Sequence, residues 1–480
     1  MSVLANTEPK EVFRFFEEIS QIPRGTFNTK AVSDYCVAFA RERGLEVVQD
    51  EWNNIIIKKP GTAGYETSEP IILQGHLDMV CEKTEDSTHD FMKDPLELYI
   101  EDGFVHAKDT TLGADNGIAI AMTLALLDSD TIEHPPIEAL FTIDEEVGMT
   151  GALNIDLSQI QGKMLLNLDS EEEGILTAGC AGGFIFDMKL PVSRETVEGT
   201  AVTIEIKGLK GGHSGIEIDQ QRGNANKLAG RLLYHISRET EISVISINGG
   251  SKDNVITPTC KIQIVAAAPA KAEAMAQEML TVWKNEFTHD EPNLILNVTV
   301  GEVGAHEAMT KDIQRKVLTF LLNCPNGVDE FSRSLENMVE ASDNLGVVST
   351  GEDDILFKFL ARSGTASKLA EIKERLISFC ELLGGTYTVN GEYPGWEFKE
   401  VSRVREITSD AYEAVTGKKP DVMIIHAGLE CGILSGQKPE LDCISFGPEM
   451  MDVHSYNERL SIESTQTTWN VIKEILRRCK

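Results

Sequence analysis

Four short apolar runs in this chain end on acidic or histidine residues, and that repetition narrows the fold more than any other feature. PIILQG runs into His76, Leu77 and Asp78; IEALFTI into Asp144, Glu145 and Glu146; KMLLNL into Asp169; and LDCISFG is soon followed by His454. Continuous apolar runs of this length, separated by helices such as GIAIAMTLALLD, read as strands of a sheet covered on both faces. In open α/β sheets, ligands bind in the crevice at the carboxyl ends of the strands. The pattern therefore predicts an α/β domain with polar side chains gathered along one sheet edge.

The length, 480 residues, exceeds what one core ordinarily organises, so two domains are expected. Helix and strand patterns alternate over the first 185 residues, and the helix AVSDYCVAFARERG stops on Gly44. The character changes to α+β after Gly182 and Gly183, and alternation resumes at Trp396. The expected organisation is a catalytic α/β domain, residues 1–188 and 396–480, with a mostly parallel sheet and helices on both faces. An inserted α+β domain, 189–395, is long enough for two lobes.

Net charge is −33, from 44 basic and 77 acidic residues, which disfavours nucleic acid and anionic membranes as partners. No stretch has the ~18 apolar residues of a membrane span, and MSVLANTEPKEVF lacks the basic and apolar regions of a signal peptide. Nine cysteines without a C-x-x-C pair suit reduced thiols in a cytosol.

Each polar element has a plain reading when taken alone. An H-x-D pair is often incidental, an acidic triplet is often solvated, Asp115 of DTTLGADNG could cap the helix that follows, and His454 reads as a loop histidine. Together they make a countable set. Two catalytic zinc ions want three protein ligands each. With Asp115 bridging, one ion takes His76, Asp115 and Asp169, and the other takes Asp115, Glu146 and His454. Glu145 is then free to act as general base, and Asp78 to orient the His76 imidazole. Imidazole and carboxylate without thiolate suit Zn²⁺, with Mn²⁺ or Co²⁺ as substitutes.

These residues carry a resemblance. QIPRGTFNT, LQGHLDMV, DTTLGADNG, TIDEEVGMTGA, NLDSEE, GCAGG, KGGHSGIEI, RGNANKLAGRLL, HAGLECG and the closing GP…HS resemble the aminoacyl-histidine (cytosol non-specific) dipeptidases, co-catalytic zinc exopeptidases related to aminoacylase and carboxypeptidase G. The resemblance spans nearly the whole chain. It implies hydrolysis of short unblocked peptides at two zinc ions, the same five ligands, Glu145 as base and Asp78 behind His76. It also implies that the insert is a lid hinged near 185–200 and 395–400 that reaches the substrate. His213 would hold the oxyanion, Arg362 with the backbone of Ala427 and Gly428 the C-terminal carboxylate, and Asn254 the substrate; a homodimer through the lid is a further expectation. Two stretches depart from the family pattern. Asn254, Val255, Ile256, Thr257 and Pro258 stand where relatives run Asn-Ala-Ile-Pro, and Tyr456, Asn457 and Glu458 where they run Pro-Asp-Glu. The alternatives are an aminoacylase-like amidohydrolase acting on N-blocked amino acids and a non-catalytic binding protein on a peptidase scaffold.

Overall fold

The computed structural model describes residues 3–480, which form two compact units. The first comprises residues 3–180, 396–424 and 429–480; the second comprises 181–395 and 425–428.

The first unit is built on an eight-stranded sheet. Its order is Glu46–Gln49, Ile55–Lys59, Ile137–Thr142, Ile71–His76, Met164–Asn167, Asp442–Ser445, Ile175–Cys180 and Asp421–Ile425. The four strands in its middle, Ile137–Thr142 to Asp442–Ser445, run parallel to one another, and the pairings just outside them are antiparallel. Every residue of Ile71–His76, Ile137–Thr142 and Met164–Asn167 is buried, as continuous apolar runs require. The helix Ala114–Asp128 is buried from Ala114 to Leu127, apolar on all sides, and packs between the helix Lys10–Ser20 and the Ile71–His76 strand. Cys180 and Trp396 exchange backbone hydrogen bonds at 2.9 Å in each direction, so the long 181–395 segment departs and returns at one point. An insertion there leaves the sheet intact.

The second unit carries one continuous nine-stranded sheet with a large apolar core and a small separate cluster of Ile218, Ile256 and Val339, although its length leaves room for two lobes. Its recorded pairings are antiparallel, and the helices Ala225–Glu239, Pro269–Phe287, Lys311–Asn323 and Ala366–Leu383 contribute to that core. No described helix is long and apolar enough to cross a membrane.

Candidate metal centre

His76 is the last residue of the Ile71–His76 strand and is 1% exposed. Its Nε2 lies 3.1 Å from Asp115 Oδ1 and 3.4 Å from Asp169 Oδ1. Asp169 follows the neighbouring Met164–Asn167 strand by two residues. Asp115 sits where the helix Ala114–Asp128 begins, with non-helical φ/ψ of −78° and 108°, so its carboxylate points out of the helix register. Its other oxygen, Oδ2, lies 3.0 Å from His454 Nε2, which is also 3.0 Å from Glu146 Oε2. Asp115 thus gives one oxygen to each imidazole, and each imidazole meets one further carboxylate.

Behind the cluster, His76 Nδ1 is 3.3 Å from Asp78 Oδ1. Asp78 also accepts the backbone N–H groups of Glu145 (3.0 Å) and Glu146 (3.4 Å) and the Thr26 hydroxyl (2.9 Å). One buried carboxylate therefore fixes both the imidazole and the turn carrying the acidic triplet. Within that triplet, Glu145 and Glu146 face the cluster while Asp144 does not. Asp144 adopts φ +51° and its carboxylate accepts the Phe27 N–H at 2.8 Å. Asn116, absent from the sequence expectations, accepts the His76 N–H (3.2 Å) and donates to the Leu168 carbonyl (2.7 Å). Glu430, fully buried, takes bonds from Gln74 (2.5 Å) and Thr142 (2.7 Å), and burial pushes its carboxyl up to about 7. No local pattern separates these two from ordinary core polar residues.

The electrostatics are those of a centre short of positive charge. Burial opposes charge on His76, yet Asp169, Asp115 and Asp78 outweigh it and raise the imidazole well above its ordinary value. Hydrogen bonds donated to the Asp115 and Glu146 carboxylates push His454 up to about 11. Burial drives Asp169 to about 6 and Glu145 well above the usual carboxylate range, with neighbouring carboxylates adding to both. Glu146 Oε1 is buried without a hydrogen-bond partner among the described residues. Three carboxylates, Asp115, Glu146 and Asp169, and two imidazoles form a nitrogen–oxygen donor set of the kind that holds divalent cations such as zinc. The residues fit such ions. His76, Asp115 and Glu146 alone present three potential ligand atoms within 4.8 Å of one another.

In the second unit, His213 Nδ1 accepts two backbone N–H groups, from Gly215 (3.1 Å) and Ile216 (3.2 Å). Burial and the nearby Arg362 charge lower its pKa, so the neutral ring carries its proton on Nε2, as a donor. Arg362 is 6% exposed, where a default reading makes it a surface arginine. Its Nη1 donates to Tyr393 at 2.8 Å, while its Nε has no partner among the described residues. Burial and the same arginine hold His426 down to about 3, and its Nε2 is 2.7 Å from Ser342 Oγ. The Asn254 carbonyl accepts the Ser214 N–H at 2.9 Å, placing Asn254 against the His213 loop. Gly428 closes the 425–428 stretch of this unit.

Comparison with known proteins assigns the chain to a family. The model of the peptidase family M20/M25/M40 matches residues 72–478. The chain is 38% identical over 483 residues, 99% of both sequences, to the cytosol non-specific dipeptidase of Escherichia coli strain K12. It superposes on the crystal structure of aminoacylhistidine dipeptidase from Vibrio alginolyticus with a TM-score of 0.92 and 38% identity, covering 99% of this chain and 98% of that one. An aminopeptidase PepT from Bacillus cereus shares the fold at 17% identity and a TM-score of 0.57, covering 98% and 99%. Matched by the family model over most of its length and aligned end to end with a dipeptidase, the chain belongs to the peptidase family M20/M25/M40.

Proposed function

We propose that this peptidase hydrolyses short unblocked peptides, chiefly dipeptides, in the cytosol with two zinc ions. The observation that carries the reading is Asp115, whose two oxygens each face a different histidine at 3.1 and 3.0 Å. His76, Asp115 and Asp169 would hold one ion, and Asp115, Glu146 and His454 the other. Such a pair, when bound, supplies a Lewis acid for the scissile carbonyl and water acidified enough to attack it.

The chain's own residues do the rest. Asp78 holds the proton of His76 on Nδ1 and leaves Nε2 free as a ligand. Glu145 takes the proton of the attacking water and returns it to the leaving amine; its buried, acid-rich surroundings favour the protonated state between those steps. His213 offers Nε2–H to the developing oxyanion. Arg362 binds the C-terminal carboxylate, because a buried guanidinium with an unpaired Nε–H is suited to an anion. The full-length likeness to a cytosol non-specific dipeptidase supports dipeptides over N-blocked amino acids.

The test is a panel of free dipeptides, tripeptides and N-acetyl amino acids, run on metal-free protein and on protein reloaded with Zn²⁺, Co²⁺ or Mn²⁺. Dipeptides should be cleaved fastest, only after reloading, with two ions bound per chain. Faster cleavage of N-acetyl amino acids would make the enzyme an aminoacylase-like amidohydrolase. Full activity of verified metal-free protein would end the two-metal reading.

A further inference from the structure

Four successive backbone N–H groups of the loop carrying Asp115 converge on one carboxylate. Glu458 Oε2 accepts from Leu112 (2.7 Å) and Gly113 (2.9 Å), and Oε1 from Ala114 (2.8 Å) and Asp115 (3.4 Å). Gly113 stands at φ +66°, the left-handed conformation that aims successive amides at a single point. Such a concavity is an anion site, and here the chain fills it with its own side chain, 3% exposed. The carbonyl of Gly113 is held from the other side by Arg24 Nη2. Arg24 Nη1 also donates to the carbonyls of Leu77 and Asp78, each at 3.0 Å. A side chain on Gly113 would place its Cβ 2.6 Å from the guanidinium, so only glycine allows this approach.

These contacts join three segments that carry the candidate ligands. Glu458 lies four residues after His454, in a turn closed by its own N–H to the Ser455 carbonyl at 3.1 Å. Its carboxylate ties that turn to the Asp115 loop, and Arg24 ties the Asp115 loop to the segment following His76. Burying an anion and a cation is costly unless hydrogen bonds offset it. Both charges are used on backbone groups beside ligands.

We propose that Glu458, supported by Arg24, is a positioning residue that sets metal affinity by fixing the angle at which Asp115 presents one oxygen to each ion. The inference rests on the two-metal reading above. Loss of an outer partner of this kind typically lowers metal affinity by about 10–100-fold. The ion held by Asp115, Glu146 and His454 should suffer most, because Glu458 connects two of its three ligands.

The experiment titrates metal-free wild type, E458Q, E458D and E138Q with Zn²⁺ against a competing chelator, and records thermal melts of the same proteins without metal. The E458Q side chain would turn an NH₂ group toward amides that need an acceptor, and the aspartate of E458D is too short to span all four. Glu138 is the matched control, because it is equally buried at 3% and accepts Gln161 and Gly162 N–H groups near the start of its strand, away from the centre. Wild type should bind two ions. E458Q and E458D should bind one of them about 10–100-fold more weakly, while E138Q melts earlier but binds both as wild type does. Wild-type affinity at both sites in a folded Glu458 variant overturns the proposal, however far its melting point falls; E458D decides if E458Q does not fold. A wild type that binds fewer than two ions overturns the two-metal reading itself.

Discussion

Glu145 and Glu146 are adjacent on one turn, yet their replacement by glutamine should have opposite consequences. Glu146 Oε2 lies 3.0 Å from His454 Nε2, whereas the contact of Glu145 with a histidine is 4.0 Å, to His76. Glu145→Gln therefore removes a base and no ligand. Its kcat should fall by about 10²–10⁴, about 2.7–5.4 kcal/mol of transition-state stabilisation, with both ions retained. Glu146→Gln removes one of three ligands from one ion. At free zinc about 100 times Kd, a bound ion stabilises the fold by about 2.7 kcal/mol. A 100-fold weaker site keeps only about 0.4 kcal/mol of that. The difference, about 2.3 kcal/mol, corresponds to a fall of about 2–4 °C in the zinc-loaded melting temperature, depending on whether the whole chain or the first unit alone unfolds cooperatively. Metal analysis, melting with and without zinc, and steady-state kinetics on one dipeptide measure all three quantities. An empty site in the Glu145 variant with a full one in the Glu146 variant would mean that the two roles are exchanged.

His213→Ala should lower kcat by about 2.7–4 kcal/mol of lost oxyanion stabilisation while KM changes little; an effect confined to KM, measured by steady-state kinetics, would assign the ring to ground-state binding. Arg362→Ala should raise KM and erase the preference for a dipeptide over its C-terminal amide; if that preference survives, another group holds the carboxylate. Gly230→Ala gains about 1 kcal/mol of helix propensity in Ala225–Glu239. Its Cβ would meet Leu321 Cβ at 2.4 Å and the Leu321 carbonyl carbon at 3.0 Å, an overpacking that costs about 1–3 kcal/mol. The denaturation midpoint should therefore fall, and an increase would show that the Lys311–Asn323 helix moves aside at no cost.

What the sequence makes legible is what is local in the chain. An apolar run followed by an acid is a property of ten residues, so His76, Asp169 and the acidic triplet can be placed at strand ends before any contact is known. Which members of the triplet turn inward is not local. It depends on Asp144 meeting the N–H of Phe27, 117 positions away. Glu458 is more distant still, with its amide donors 343 to 346 residues earlier. As a charged residue in a polar stretch it reads as solvated, and only the closing of the Asp115 loop around it removes it from water. Arg24 escapes notice for the same reason, and the burial of Arg362 is no more visible in its local sequence. Burial of a charge is decided by its partners, and hydrophobic patterning carries no information about them.

The strand directions explain why the candidate ligands are distributed as they are. The four parallel strands end at one edge of the sheet: Ile71–His76 ends on His76 itself, Ile137–Thr142 and Met164–Asn167 run into the acidic pair and Asp169, and the segment after Asp442–Ser445 leads on to His454. An antiparallel neighbour presents its start at that edge. Ile55–Lys59 is such a neighbour, pairing Ile55 with Phe141, and the residue it brings there is Asn54. Asn54 is used for scaffolding: its Oδ1 accepts the Ile143 N–H at 3.2 Å, and its Nδ2 donates to the Gly151 carbonyl at 3.1 Å. These two bonds fasten both ends of the turn that holds Glu145 and Glu146. Parallel strands thus supply the chemistry at this edge, and the antiparallel strand beside them supplies a residue that holds it still.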